Sequence, residues 1–279
     1  MALLRRQSTL AVVPTLLTLA NGACGLGSIA MATMSQETLG EVNGIFYAGV
    51  LIYLGMVFDG LDGYVARLLK QTSRLGVELD SLCDAITFTV APVFIMIGLT
   101  DSFPLRFLWA VGTLFMFCGL LRLARFNVEQ AAGDDNHDWF RGLPTPAAAA
   151  TLASFAVALP GFQRLAADAM PEASWHLSER IVALTAHGLP ILTVVLASLM
   201  VSRIRYPHLL NQWTRGQRHF FSLVQLVFAV IALIAVHELA LPLVFCYYAL
   251  ARPLAVWVRF AGMRIRQSGW LPHLPREEV

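Results

Sequence analysis

The chain has 279 residues, of which 57% are hydrophobic and only 14% charged, and its mean hydropathy of +0.64 is that of a polytopic membrane protein, which excludes an ordinary soluble domain. A net charge of +2 is too small to imply a nucleic-acid partner. Cys24, Cys83, Cys118 and Cys246 form no CxxC pair, and the histidines show no ligand spacing, so neither a disulfide framework nor a zinc site is implied.

Apolar stretches of about 20 residues, enough to cross a bilayer, fall near 10–34, 43–66, 80–100, 104–124, 144–162, 182–202, 218–237 and 240–260. They predict an all-α protein, a single bundle of about eight transmembrane helices. Residues 1–9 are too short and polar for a cleaved signal peptide. Asn21, Gly22, Gly25 and Gly27 in the first stretch mark close helix packing or ligand contact. The segment Asn127 to Gly142 reads as a solvated loop, and its Asp134, Asp135 and Asp138 as acidic surface more than a cation site. The fifth stretch is short, Ala-rich and flanked by prolines. Residues 163–181, with Trp175, read as a connector lying at the interface. Arg252 falls inside the last stretch, where a buried arginine more often closes an internal pair than meets substrate. Residues 1–262 are expected to form the membrane domain, and 263–279, with Pro272 and Pro275, a cytoplasmic tail.

Basic residues set the orientation, because Lys and Arg mark cytoplasmic flanks. With the N-terminus inside, Arg5, Arg6, Arg67, Lys70, Arg74, Arg122 and Arg125 all fall inside, whereas Arg106, Arg164 and Arg180 fall outside. Both termini are therefore expected in the cytoplasm, with the protein in the cell (inner) membrane.

The stretch that organises the chain is DGLDGYVARLLKQTSRLGVELDSLCD, from Asp59 to Asp84. Asp59 and Asp62 are i and i+3, and Asp80 and Asp84 are i and i+4, so each pair shares one helix face. Two helix ends packed together would bring four carboxylates to one focus. Uncompensated near mid-bilayer, each costs roughly 2.5–3.5 kcal/mol, so the cluster calls for cations. Hard oxygen ligands suit Mg²⁺ or Mn²⁺, and a cluster of this kind can hold two ions that clamp a phosphoryl group. Gly63 and Ala66 leave room for a ligand, Gly76 permits close backbone approach, and Arg67 offers a guanidinium fork for phosphate. Surface charge at helix ends and an ion-transport site are the competing readings; the glycines and Arg67 speak for a phosphate ligand.

These residues also reproduce a known pattern. Asp59, Asp62, Gly63, Ala66, Arg67, Gly76, Asp80 and Asp84 fit D-x2-D-G-x2-A-R-x8-G-x3-D-x3-D without a gap, and so the chain resembles the CDP-alcohol phosphotransferases. With VPTLLTLANGACG, RLARFN, GLPTPAAA and SLMVSRIRYP, the likeness over most of residues 10–210 is to the bacterial, membrane-embedded phosphatidylserine synthase branch. Thr15, where that branch is expected to carry Asn after Pro14, is a departure.

The resemblance implies transfer of the phosphatidyl group of CDP-diacylglycerol to L-serine, with membrane lipid and a homodimer partner in attendance. It implies Asp59, Asp62, Asp80 and Asp84 as metal ligands for two Mg²⁺ or Mn²⁺ ions, and Asp84 also as the general base. Gly63, Ala66, Arg67, Ser73 and Gly76 would hold CDP-diacylglycerol. Arg122 and Arg125 are candidates for the serine carboxylate, with ordinary flanking charge as the alternative. A sister enzyme using a polyol phosphate or choline, or a cation transporter, are the rival functions.

Overall fold

A computed structural model describes residues 12–34, 44–69, 74–131, 139–168, 172–207 and 237–267. The described residues are helical almost throughout. Helix α1 spans Val12–Thr33 and α2 Gly44–Leu69. Next comes a continuous rod made of α3 (Arg74–Asp84), a π-helical segment (Ala85–Val90) and α4 (Ala91–Gly98). Helix α5 spans Leu105–Ala131, α6 Thr145–Asp168, α7 Glu172–Val201 and α8 His237–Gln267.

The widened segment has a local cause. Pro92 carries no N–H for the carbonyl four residues back, and the Ala91 N–H reaches instead to Ile86, five residues back. Single π-turns of this sort are frequent beside functional residues, and this one begins directly after Asp84.

Five helical stretches are long and apolar enough to cross a membrane: Val12–Thr33, Gly44–Ala66, Leu75–Gly98, Leu105–Glu129 and Ala183–Val201. Thr145–Gly161 and Ala240–Ala255 are apolar but shorter, and all of the expected span 218–237 but its last residue lies outside the described residues. The Ala-rich fifth stretch is the pillar of the bundle. Helix α6 packs on α2, α7 and α8, and its Ala148, Ala149, Ala150, Leu152, Ala153 and Ala156 have no exposed surface. Surrounded by protein, it can be short, and small side chains let neighbours close in. Tyr53 of α2 donates its hydroxyl to the Ala150 carbonyl at 2.9 Å. A larger core, including Leu108, Phe115, Leu143, Leu152, Leu189, Leu196 and Met200, joins α5, α6 and α7.

Several expected boundaries move. The third span begins at Arg74 in place of residue 80, so the aspartates lie within two helices and not at their ends. The expected loop from Asn127 is helical to Ala131; Asp134, Asp135 and Asp138 lie outside the described residues. Over 163–181 the chain is helical wherever it is described, because α6 and α7 each extend past their apolar cores. Helix α8 runs on to Gln267, through the expected start of the tail.

The bundle is all-helical as expected, with a short antiparallel ladder among the described residues, in which β1 (Trp139–Arg141) pairs with β2 (Arg205–Pro207). Gly142 follows with φ of 84°, a left-handed conformation that glycine adopts without strain, and a side chain there would strike the Met200 carbonyl. Its N–H bonds to Ile204 O at 2.8 Å, and that of Leu143 to Leu199 O at 3.0 Å. The GLPTP segment is thereby fastened to the end of α7.

Candidate functional site

Helices α2 and α3 lie antiparallel on α1, α2 meeting it through Asp62 and Ala48 and the rod that α3 begins through Asp84 and Thr87, which brings their acidic faces together. Asp59, Asp62 and Asp80 each offer a carboxylate oxygen, and these atoms all lie within 4.8 Å of one another. Asp62 is buried at 5% exposure. The ion pair of Arg125 on α5 is with Glu129 of the same helix, at 2.9 Å.

Three carboxylates cannot share so small a volume as anions without a positive partner. Asp80 Oδ1 is the sharpest indication. It is buried and has no hydrogen-bond partner among the described residues, a costly state for a carboxylate oxygen unless something absent from the polypeptide occupies it. The donor set is all hard oxygen, of the type that holds a divalent cation such as Mg²⁺ or Mn²⁺. The residues therefore fit a metal.

The first helix completes the site. Thr18 Oγ1 lies 2.7 Å from Asp62 Oδ2 and 3.0 Å from the Pro14 carbonyl, and with one hydrogen it donates best to the nearer, charged acceptor. Asn21 Nδ2 donates to Asp84 Oδ1 at 2.8 Å. Thr18, Asn21, Gly22 and Gly25 share one face of α1 by their i, i+3, i+4, i+7 spacing. The glycines decide how near that face comes: a methyl group on Gly22 would sit 2.8 Å from Cys83 Sγ, and one on Gly25 2.5 Å from Thr87 Oγ1. Asp84 thus stands beside the three-carboxylate group, held from α1.

Beside Asp62 on α2 there is space at two glycines. A methyl group on Gly60 or Gly63 would meet no atom of the described residues within 4 Å, while Ala66 and Gly76 are half-buried. Arg67 belongs to α2, but its side chain, like all of Ser73, lies outside the described residues.

Arg122 and Arg125 of α5 separate in environment. Arg122 is buried, donates from Nη1 to Thr145 Oγ1 at 3.0 Å, and has its guanidinium carbon 5.6 Å from the Phe126 ring centre. Arg125 is partly exposed and engaged with Glu129 on its own helix. Asn127 Nδ2 donates to Ser81 Oγ at 2.8 Å, tying the end of α5 to α3 beside Asp80. Thr18, Ser81, Asn127 and Thr145 were not singled out by motif reasoning. For Thr18 a signal existed in the polar i, i+3 pair with Asn21 inside an apolar span.

Residues 11–195 match the sequence profile of the CDP-alcohol phosphatidyltransferase family. A CDP-diacylglycerol–serine O-phosphatidyltransferase of Mycobacterium bovis is 36% identical over 152 residues, covering 53% of this chain and 50% of the relative. The enzyme of the same name in Saccharomyces cerevisiae is 40% identical over 137 residues, covering 47% and 48%. That of Helicobacter pylori strain J99 is 36% identical over 184 residues, covering 63% and 70%. The chain thus spans about half the length of the first two relatives and more of the third. The matched region contains both acidic helices, the α1 face that holds them and Arg122, and the chain belongs to the CDP-alcohol phosphatidyltransferase family.

Proposed function

We propose that the protein transfers the phosphatidyl group of CDP-diacylglycerol to the hydroxyl of L-serine, giving phosphatidylserine and CMP. The observation that carries this reading is the convergence of Asp59, Asp62 and Asp80 around the unpartnered Asp80 Oδ1, within a region similar to enzymes named for that reaction. Asp59, Asp62 and Asp80, with Asp84 at the edge, would hold Mg²⁺ or Mn²⁺, as two ions in the reading that the signature implies. The metal would supply charge neutralisation for the pyrophosphate and for the departing CMP.

The chain's own groups divide the remaining work. Asp84 takes the proton from the serine hydroxyl. The serine oxygen then forms a bond to the β-phosphorus, and the bond from that phosphorus to the CMP oxygen breaks, its electron pair leaving with CMP. The open side of α2 at Gly60 and Gly63 receives the nucleotide, lined by Ala66 and Gly76, with Arg67 and Ser73 as further contacts. Arg122, buried within the bundle, is assigned the serine carboxylate in preference to Arg125, which is partly exposed. In this reading the chain is a homodimer in the inner membrane, with site and termini cytoplasmic and 1–262 as the catalytic domain.

The test is CMP release from CDP-diacylglycerol by the purified protein in detergent with Mn²⁺ or Mg²⁺. Serine is run against glycerol 3-phosphate, inositol phosphate and choline. Stimulation by serine alone is the expected result. Stimulation by another alcohol would keep the aspartate chemistry and reassign the acceptor, while no release with any acceptor would return the cluster to cation transport.

A further inference from the structure

Asn21 is fully buried, sits mid-helix in an apolar span, and makes two contacts with the same neighbouring rod. Its side-chain Nδ2 donates to Asp84 Oδ1 at 2.8 Å. Its main-chain carbonyl accepts from Thr87 Oγ1 at 2.9 Å, three residues further along. Thr87, itself fully buried, fits a notch between Gly25 of α1 and Gly55 of α2, where added methyl groups would stand 2.5 Å from Thr87 Oγ1 and 2.7 Å from Thr87 Cγ2 respectively. The clasp therefore spans the point where α3 passes into the π-helical segment, whose wider turns would otherwise let the Asp84 side chain drift.

The amide is poorly rewarded in fold terms alone. Asn21 Oδ1 is buried with no hydrogen-bond partner among the described residues, and such an orphan acceptor costs stability that an apolar side chain would not. What the amide does provide is a directed donor to one oxygen of Asp84. No hydrogen bond among the described residues occupies the other oxygen, Oδ2. Resting on the transferase reading above, we propose that Asn21 is a positioning residue: by binding Oδ1 it fixes the plane of the Asp84 carboxyl group and presents Oδ2 to the acceptor hydroxyl. Thr87 sets the height of Asn21 through its main chain, so the side chain is aimed from a backbone that cannot slide.

The experiment uses the full chain in detergent and three variants, Asn21→Ala, Asn21→Asp and the swap Asn21→Asp with Asp84→Asn. Serine-stimulated CMP release gives kcat and KM, and thermal unfolding gives stability. Asn21→Ala is expected to lower kcat by about tenfold or more, as misplacement of a reacting group does, with KM for CDP-diacylglycerol changed by no more than about threefold. Asn21→Asp sets two carboxylates against each other and lowers the midpoint. The swap restores an amide-to-carboxylate pair with the partners exchanged and is expected to recover most of that midpoint without recovering turnover. Wild-type kcat in Asn21→Ala overturns the proposal, and so does a swap no more stable than Asn21→Asp, which would mean the contact is not made. Should the wild-type chain release no CMP with any acceptor, the transferase reading falls and the positioning role with it; recovery in the swap would then mark Asn21 as a structural tie.

Discussion

Substituting Gly63 by Ala separates room for a ligand from room needed by the fold. A methyl group at Gly63 would meet nothing within 4 Å among the described residues, so the substitution adds no clash with them. It removes a glycine from the interior of α2, which in helices gains up to about 1 kcal/mol. For a chain of this size that corresponds to an unfolding midpoint higher by about 2–4 °C. If the open space receives the nucleotide, the same methyl group crowds the ligand, and KM for CDP-diacylglycerol should rise while the protein becomes no less stable. Gly25→Ala is the opposite case. Its methyl group would lie 2.5 Å from Thr87 Oγ1, and 2.8 Å and 2.9 Å from Thr87 main-chain atoms, contacts that backbone can relieve only by moving α1 away. Overpacking of this kind costs about 1–3 kcal/mol, so the midpoint should fall. Both variants are read by thermal unfolding in detergent and by CMP release over a range of CDP-diacylglycerol. A Gly63→Ala protein with wild-type KM and kcat would refute the assignment of that space to the substrate.

Three further outcomes follow from the same geometry. Asp59→Ala removes one of the three converging carboxylates and should abolish both Mn²⁺ binding, followed by paramagnetic resonance, and CDP-diacylglycerol affinity; unchanged Mn²⁺ affinity would end the ligand assignment. Asp84→Asn keeps the shape of the side chain and removes its proton-accepting capacity, so CMP should still bind by calorimetry while turnover is lost; near-wild-type turnover would show that the base lies elsewhere. Thr18→Val keeps the volume and deletes the 2.7 Å donor to Asp62. Losses of about 10–100-fold in Mn²⁺ affinity are typical when a ligand loses its supporting hydrogen bond, and Thr18→Ser should retain wild-type affinity; equal affinities in all three proteins would leave Thr18 a packing residue.

The site was legible where chemistry is written in spacing. Intervals of three and four residues place Asp59 with Asp62 and Asp80 with Asp84 on single faces, and the structure does bring the two faces together. What spacing could not show is the third wall. Thr18 and Asn21 stand about forty to sixty residues from their carboxylate partners, and nothing in a local pattern says which apolar helix will lie against the acidic pair. The boundary at Arg74 was missed for a related reason. RLGVEL is too polar to count toward a membrane span, yet Leu75 and Val77 remain exposed on α3; the helix persists because it is continuous with a long apolar rod. Hydropathy also undervalued α6, since it weighs lipid-facing surface and α6 is buried in protein.

Depth in the bundle distinguishes the two candidate arginines. Asn127 of α5 bonds directly to Ser81 of α3, which fixes these antiparallel helices at one level. Asp84 lies three residues further into the bundle along α3, about 4.5 Å at 1.5 Å per residue, and Arg122 five residues further along α5, about 7.5 Å. The two are therefore within about 3 Å of each other in depth, and Arg122 is buried there with its guanidinium supported by Thr145 and Phe126. Arg125 lies only two residues from Asn127, nearer the edge, and is paired with Glu129. A zwitterionic acceptor whose hydroxyl meets Asp84 needs a cation for its carboxylate at a similar level, a condition that Arg122 meets better. Arg122→Gln, which keeps length and one donor, should raise KM for serine by about tenfold or more, as loss of a charge-assisted hydrogen bond does, with KM for CDP-diacylglycerol little changed. An equal rise in both constants would place Arg122 in the support of α6 and α5 and leave the serine carboxylate to another group.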